Sequence, residues 1–304
     1  MAIDQWIGAV DGSLSTAGNF KSGVALAAGD GLLVPKTATQ AINADLDLSA
    51  TTLVGFETEK DCSVIIGTFT AAGLIVPAKF TLLHAAAYYD AILAGNGEAA
   101  LYFINYGNIF IREAPAASST NYGLNITGTN DETGTGKIFV TAETGTIGLA
   151  ANADEVLEAE AIYITNATVT IGNGVVDPDG AAAMPLLDVK GGVVTNRAAV
   201  VTMTVDGSEF RHESGAVTTL TVKSGKAIIA GAETLATVYV RAGAHLDMTG
   251  DLQAKTITDL YVGAGATLDF RGGHVTRTNA IHLQGCSASQ VTVLIDPEEA
   301  LAFD

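Results

Sequence analysis

The stretches TLTVKSGKAIIAG (219–231), TVYVRAGAHLDMTG (237–250) and DLYVGAGATLDFRG (259–272) share one plan: a short alternating strand, a glycine turn, a second alternating strand and a closing glycine. Their turn glycines, Gly225, Gly243 and Gly265, recur at nearly equal intervals, the second slightly the longer, and AIHLQG (280–285) begins a fourth unit. The connector DLQAKTITD (251–259) takes up most of the difference between the intervals. Period-two alternation puts Leu220 and Val222, Val238 and Val240, Leu260 and Val262, and Ile281 and Leu283 on the inward face of the first strand. The same rule sends Ile228 and Ala230, Leu246 and Met248, and Leu268 and Phe270 inward after the turn.

Units this small cannot close a core by themselves; they become stable by stacking on their neighbours through backbone hydrogen bonds about 4.8 Å apart. The expected fold is therefore all-β, a right-handed parallel β-helix (a solenoid) with glycine at its corners, where positive φ is often required. Upstream, Met203 and Val205 fall one turn before Leu220 and Val222, and AIYITNATVTIGNG (161–174) and PLLDVKGGVV (185–194) offer two more strand–turn units around a DPDG loop. SVIIG (63–67), LIV (74–76), FTLLH (80–84), ALYFI (100–104), IFI (109–111) and KIFVTA (137–142) read as further strands, and AAAYYDAILAG (85–95) as a short helix. At about 20 residues per turn the body would hold roughly a dozen turns, a rod about 60 Å long. An antiparallel sandwich is the alternative for the first half, because alternation alone does not say which strand pairs with which. The expected organisation is an amino-terminal capping or anchoring segment (1–40), a β-helix-rich body (41–296, clearest over 200–290) and a carboxyl-terminal tail (297–304).

With 48% hydrophobic residues, 34 glycines and only 16% charged residues in 304, the chain is too apolar for disorder and too poor in charge for a coiled coil. Thirty-three acidic residues against 15 basic ones, a formal charge of −18, argue against nucleic acid or an anionic membrane as partner, both of which need Lys/Arg clusters. No apolar run approaches the roughly 20 residues of a spanning helix, and MAIDQWIGAV lacks the pattern of a secretory signal. A soluble chain that stays in the cytoplasm where it is made is the expectation. Cys62 and Cys286 show no paired spacing and read as two buried thiols.

Sites of chemistry are sparse. TGTNDETGTGK (127–137) fails as a phosphate loop, since Asp131 and Ile138 stand where glycine and Ser/Thr are needed. The carboxylates of DPDG (177–180) and NDE (130–132) fit turns better than calcium loops. His84, His212, His245, His274 and His282 show no metal-binding spacing and read as surface or edge positions, and there is no GxSxG elbow. No catalytic residue, metal or cofactor is expected. Asp247 and Asp269 occupy equivalent places in adjacent units, outward and solvated, at the spacing of a retaining glycosidase pair. A second column, Thr204, Thr221, Tyr239, Tyr261 and His282, lies between the inward positions; Tyr239, Tyr261 and His282 are candidates for an outward stripe that meets another subunit or a sugar.

The amino-terminal string QWIGAVDGSLSTAGNFKSGVALAAGDGLLVP (5–35) resembles the opening of a group of tailed-phage and prophage virion proteins. Their pattern is Trp-x-Gly, an acidic-glycine turn, Ala-x-Asn followed by an aromatic, glycine, and Pro-x-x-Gly-Asp before the first strand. Trp6, Gly8, Asp11, Gly12, Asn19, Phe20, Gly23, Gly29 and Asp30 fill it; the proline is missing near Leu26 or Ala27, and Phe20 stands where Trp is frequent. The match covers about a tenth of the chain. The resemblance implies a non-enzymatic virion protein, assembled in the host cytoplasm and commonly homotrimeric, of the capsid decoration (cement) or fibre kind. Its partner would be the major capsid protein or another virion protein. In that setting Trp6 and Phe20 would either anchor the chain to a shell or cap the first turn. The alternatives are a tailspike or fibre that binds or cleaves a host polysaccharide, and a bacterial adhesin.

Overall fold

The computed structural model describes residues 3–43, 48, 50–60, 62, 66, 75–76, 80–83, 100–104, 106–114, 122, 124–130, 136–142, 145–152, 155–179, 181–272, 274–296 and 303. The helix expected over 85–95, and His84, lie outside them. The chain is all-β, and every strand pairing among the described residues is parallel. The one antiparallel contact among them is an isolated bridge between Trp6 and Phe20.

Register gives the architecture. Each strand pairs with the equivalent strand of the next unit, so like residues lie on like. One inward column runs Leu32, Phe56, Thr81, Ile109, Ile138, Ile162, Leu187, Met203, Leu220, Val238, Leu260, Ile281 through successive pairings. Two residues on, Ile111, Val140, Ile164, Val189, Val205, Val222, Val240 and Val262 form a second. These side chains are buried and belong to one continuous core, apart from Thr81, whose side chain is not described. β-branched residues suit such columns because their single preferred rotamer repeats without loss from level to level. The sandwich alternative for the first half falls on this pairing: parallel levels begin with Ile3–Gln5 on Gly31–Val34 and continue to Ile281–Leu283. Among the described residues thirteen strands stack in this way, about 58 Å from first to last at ~4.8 Å per level.

Within residues 1–40, Ile3–Gln5 pairs with Gly31–Val34, which pairs in turn with Gly55–Thr58. Phe303 bridges to Ile281 and packs on the core. One expectation of the repeat is corrected. In the first of the three quoted repeats the inward residues are Ala227 and Ile229 rather than Ile228, which is half-buried. The reason is a corner one residue shorter: Ala227 follows Val222 sooner than Leu246, with which Ala227 pairs, follows Val240. The glycines of these corners have positive φ, +75° at Gly243 and +72° at Gly265.

Loops are closed by polar side chains turned inward. Of the connector 251–259, only its start is loop; Lys255 opens the strand Lys255–Val262, is fully buried, and donates to Asp251 Oδ1 (2.6 Å) and to the carbonyls of Asp251 and Gln253. His212 is likewise buried rather than at an edge. Its Nε2 donates to Gly215 O at 2.7 Å and its Nδ1 accepts from Asn196 Nδ2 at 2.9 Å, which selects the neutral ring. Burial lowers the His212 pKa to about 4, the bond to Gly215 opposing it. Of the thiols, Cys62 is buried and Cys286 only partly so.

An alanine Cβ at Gly243 would meet nothing within 4 Å, whereas at Gly192 (φ +86°) it would lie 2.2 Å from Ala167 O and 2.6 Å from Ala167 N. Gly243→Ala should therefore cost about 1 kcal/mol, from φ alone, and Gly192→Ala at least about 3 kcal/mol, as read from urea denaturation. For His212 the folded pKa lies below the ordinary 6.5, so its contribution is complete above pH 6.5 and is lost as pH falls toward 4. Wild type should lose about 3 kcal/mol more than His212→Gln between pH 7 and pH 4.

Candidate functional site: an outward aromatic stripe

The column between the two inward ones faces out. From the fifth level onward it reads Phe110, Phe139, Tyr163, Asp188, Thr204, Thr221, Tyr239, Tyr261, His282, each paired in register with the next and each half-buried. Parallel register forces identical positions to within one strand spacing, and flat rings at that spacing stack. Tyr239 and Tyr261 have ring centroids 4.9 Å apart at 19°, and Tyr261 and His282 4.7 Å apart at 22°. The expected stripe of Tyr239, Tyr261 and His282 is thus present as one continuous stack.

A second ladder, which the carboxyl-terminal repeat does not reveal, lies on the same column: Phe110 on Phe139 (4.8 Å, 9°) and Phe139 on Tyr163 (4.9 Å, 8°). Its signal was in the sequence as the triplets Ile109-Phe110-Ile111, Ile138-Phe139-Val140 and Ile162-Tyr163-Ile164, separated by wider and less even gaps than the later repeats. Each ladder carries an arginine two residues after its first ring, just past the strand end. Arg112 stands 5.9 Å from the Phe110 centroid and bonds Thr141 Oγ1, while Arg241 stands 4.9 Å from the Tyr239 centroid. Arg241 Nη1 donates to Gln284 Oε1 two levels away at 2.8 Å. Between the ladders lie Asp188, which pairs with Lys190 (3.1 Å), and the threonines.

Stacking decides what the stripe can present. Ring faces are turned toward one another along the column, so the solvent meets mostly ring edges and the tyrosine hydroxyl groups. A sugar ring that stacks on an aromatic needs a free face.

The Asp247–Asp269 pair is corrected. The two residues are in register, as expected, but both are buried (6% and 4% exposed) rather than solvated. Lys226 Nζ lies 2.6 Å from Asp247, which also accepts from Thr249; Arg271 grips Asp269 through Nε (2.9 Å) and Nη2 (2.6 Å). Burial pushes the Asp247 carboxyl up, but its bonds to Lys226 and Thr249 outweigh this and hold it below the usual carboxylate range. The Arg271 hydrogen bonds hold Asp269 below it too. Both are fixed anions, whereas glycoside hydrolysis needs one of the pair protonated.

At the opposite end, Trp6 and Phe20 are buried, edge to face at 5.6 Å, with Trp6 Nε1 donating to Gln40 O. Neither offers exposed ring area to a shell. Asn19 precedes Phe20: its backbone carbonyl accepts from Ile7 and Gly8, its Oδ1 from Val10 and Asp11, and its Nδ2 donates to Asp11 Oδ1 and Ser13 O. The same segment exposes Ile3, Ile7, Val10 and Val24, each 43–66% accessible. In the DPDG loop, Asp177 accepts from the Asp179 backbone as a turn does.

Comparison with protein-family models, with curated proteins and with solved structures finds no match to this chain.

The ladder makes a graded prediction. Tyr261 stacks on two rings and His282 has Tyr261 as its ring neighbour in this stack. Tyr261→Ala should cost about 1–3 kcal/mol, roughly twice the loss in His282→Ala, in denaturant titrations.

Proposed function

We propose that this chain is a non-enzymatic structural protein of a phage virion, a homotrimeric capsid decoration protein whose stacked levels close into a right-handed parallel β-helix. The observation that carries the reading is the unbroken in-register stack. A rod of this kind pairs its strand edges internally, lends itself to rigidity and resistance to proteolysis, and offers long flat sides to neighbours. The amino-terminal resemblance supplies the setting, and the stack's capped end supplies the docking surface. With Trp6 and Phe20 buried, that surface is formed by Ile3, Ile7, Val10 and Val24, and its partner is the major capsid protein. The engaged carboxylates Asp247 and Asp269 favour a structural role over hydrolysis.

A second reading, a tailspike or fibre that binds a host polysaccharide, draws on the two aromatic ladders. It is weakened by ring faces already covered by their neighbours. Copy number separates the two: a decoration protein is among the most abundant bands of purified particles, a tailspike a minor one. Val10→Asp combined with Val24→Asp should keep the fold and lower particle occupancy by at least about tenfold, since each substitution removes apolar burial at the contact. Unchanged occupancy would contradict docking through this end, and cleavage of any bacterial polysaccharide by the purified chain would contradict the non-enzymatic reading.

A further inference from the structure

We infer that the side of the stack bearing the two aromatic ladders is the contact between copies of this chain. The inference rests on the structural-protein reading in requiring that copies assemble; which face they use is argued from charge, composition and size.

Charge is the first argument. The chain carries 33 acidic and 15 basic residues. The outward column from Phe110 to His282 and the outward columns on either side of it carry Arg112, Lys137, Lys190, Lys223 and Arg241 against only Asp188, Asp206 and Asp259. This face thus holds a third of all the basic residues and less than a tenth of the acidic ones. Two copies of so acidic a chain repel each other, and they approach at least cost where the local charge is near zero.

Composition agrees. The three columns hold five aromatic rings, a histidine and two arginines, the types enriched where proteins meet, and no glutamate. Seven threonines flank and separate the ladders, so the relief stays low and another face can approach closely. Along the central column three rings are followed by the non-aromatic Asp188, Thr204 and Thr221 and then by three more rings, so the placement of rings, though not the residue identities, is symmetric about Thr204. Thr204 is its midpoint and would lie near its own counterpart whichever way two copies run. Nine levels at ~4.8 Å and five residues of strand at ~3.3 Å give a face of about 40 by 15 Å. That projected area of about 600 Å² is near the roughly 800 Å² per partner of a standard stable interface.

The test is sedimentation velocity over a concentration series. It compares wild type, Thr204→Arg with Thr221→Arg, and Val193→Lys, a 52% exposed position past the Gly191–Gly192 bend of the strand Met184–Asn196, paired with Glu209 rather than with the stripe. Wild type and Val193→Lys should sediment as assemblies. The double arginine variant, which adds charge at the centre of the stripe and leaves both ladders intact, should weaken association by at least about 30-fold, the loss of a central anchor. In parallel, Thr204→Cys in a Cys286→Ser background should give a covalent dimer with a short bis-maleimide; this readout decides should the double variant fail to fold by circular dichroism. An assembling wild type whose double variant assembles equally well, with no cross-link at Thr204, would overturn the stripe as the interface and leave the structural reading standing. A wild type that is a single chain at every concentration would overturn the assembly itself.

Discussion

Backbone hydrogen bonding between equivalent strands of successive units is the constraint on which the rest of this structure depends. Once Val222 lies on Val205 and under Val240, the same displacement carries every other residue onto its counterpart. The core is then a set of columns, and a column tolerates only side chains that stack on their own kind or fit beside a complementary neighbour. Phe210 over Ala227 over Leu246 shows the second solution, large on small on large. The aromatic ladders show the first, on the outer side.

The same constraint governs the polar groups. A charged or amide side chain buried between stacked strands cannot reach water and must be answered locally. Asn196 and His212 answer each other across one level, and Lys255 is met by a carboxylate and two carbonyls of the loop it closes. Asp247 and Asp269, brought within one strand spacing, are each neutralised by a cation of their own. Two like charges at that spacing would otherwise repel strongly in a partly buried setting. Near the amino-terminal strand Ile3–Gln5, Phe20 bridges Trp6 antiparallel and Asn19 answers the backbone of residues 7–11.

Much of this was legible in the sequence, and the rest was hidden for identifiable reasons. The carboxyl-terminal levels advance along the central column from Asp188 through Thr204, Thr221, Tyr239 and Tyr261 to His282, in steps close enough to constant for the repeat to show by eye. The amino-terminal levels take longer steps, as from Phe110 to Phe139 to Tyr163, because longer connectors intervene, and there alternation gave strands without their partners. The Tyr239–Tyr261–His282 ladder was therefore visible while Phe110–Phe139–Tyr163 was not, although both obey one rule. Ile228 was assigned the wrong face because a corner shortened by one residue inverts every side chain after it. The burial of Asp247, Asp269 and His212 was unreadable for a different reason: it depends on Lys226, Arg271 and Gly215, whose positions follow from stacking and not from local pattern.

Distances between spin labels along one outward column test the stacked register most directly. Thr141, Lys223 and Gln284 lie on such a column, four levels separating the first two and seven the first and last. Backbone separations of about 19 Å and about 34 Å, scaling with the number of levels at ~4.8 Å each, are what the account predicts. Separations that do not scale with level number would show that the units are not stacked in register, and the core columns, both ladders and the proposed interface would fall with that result.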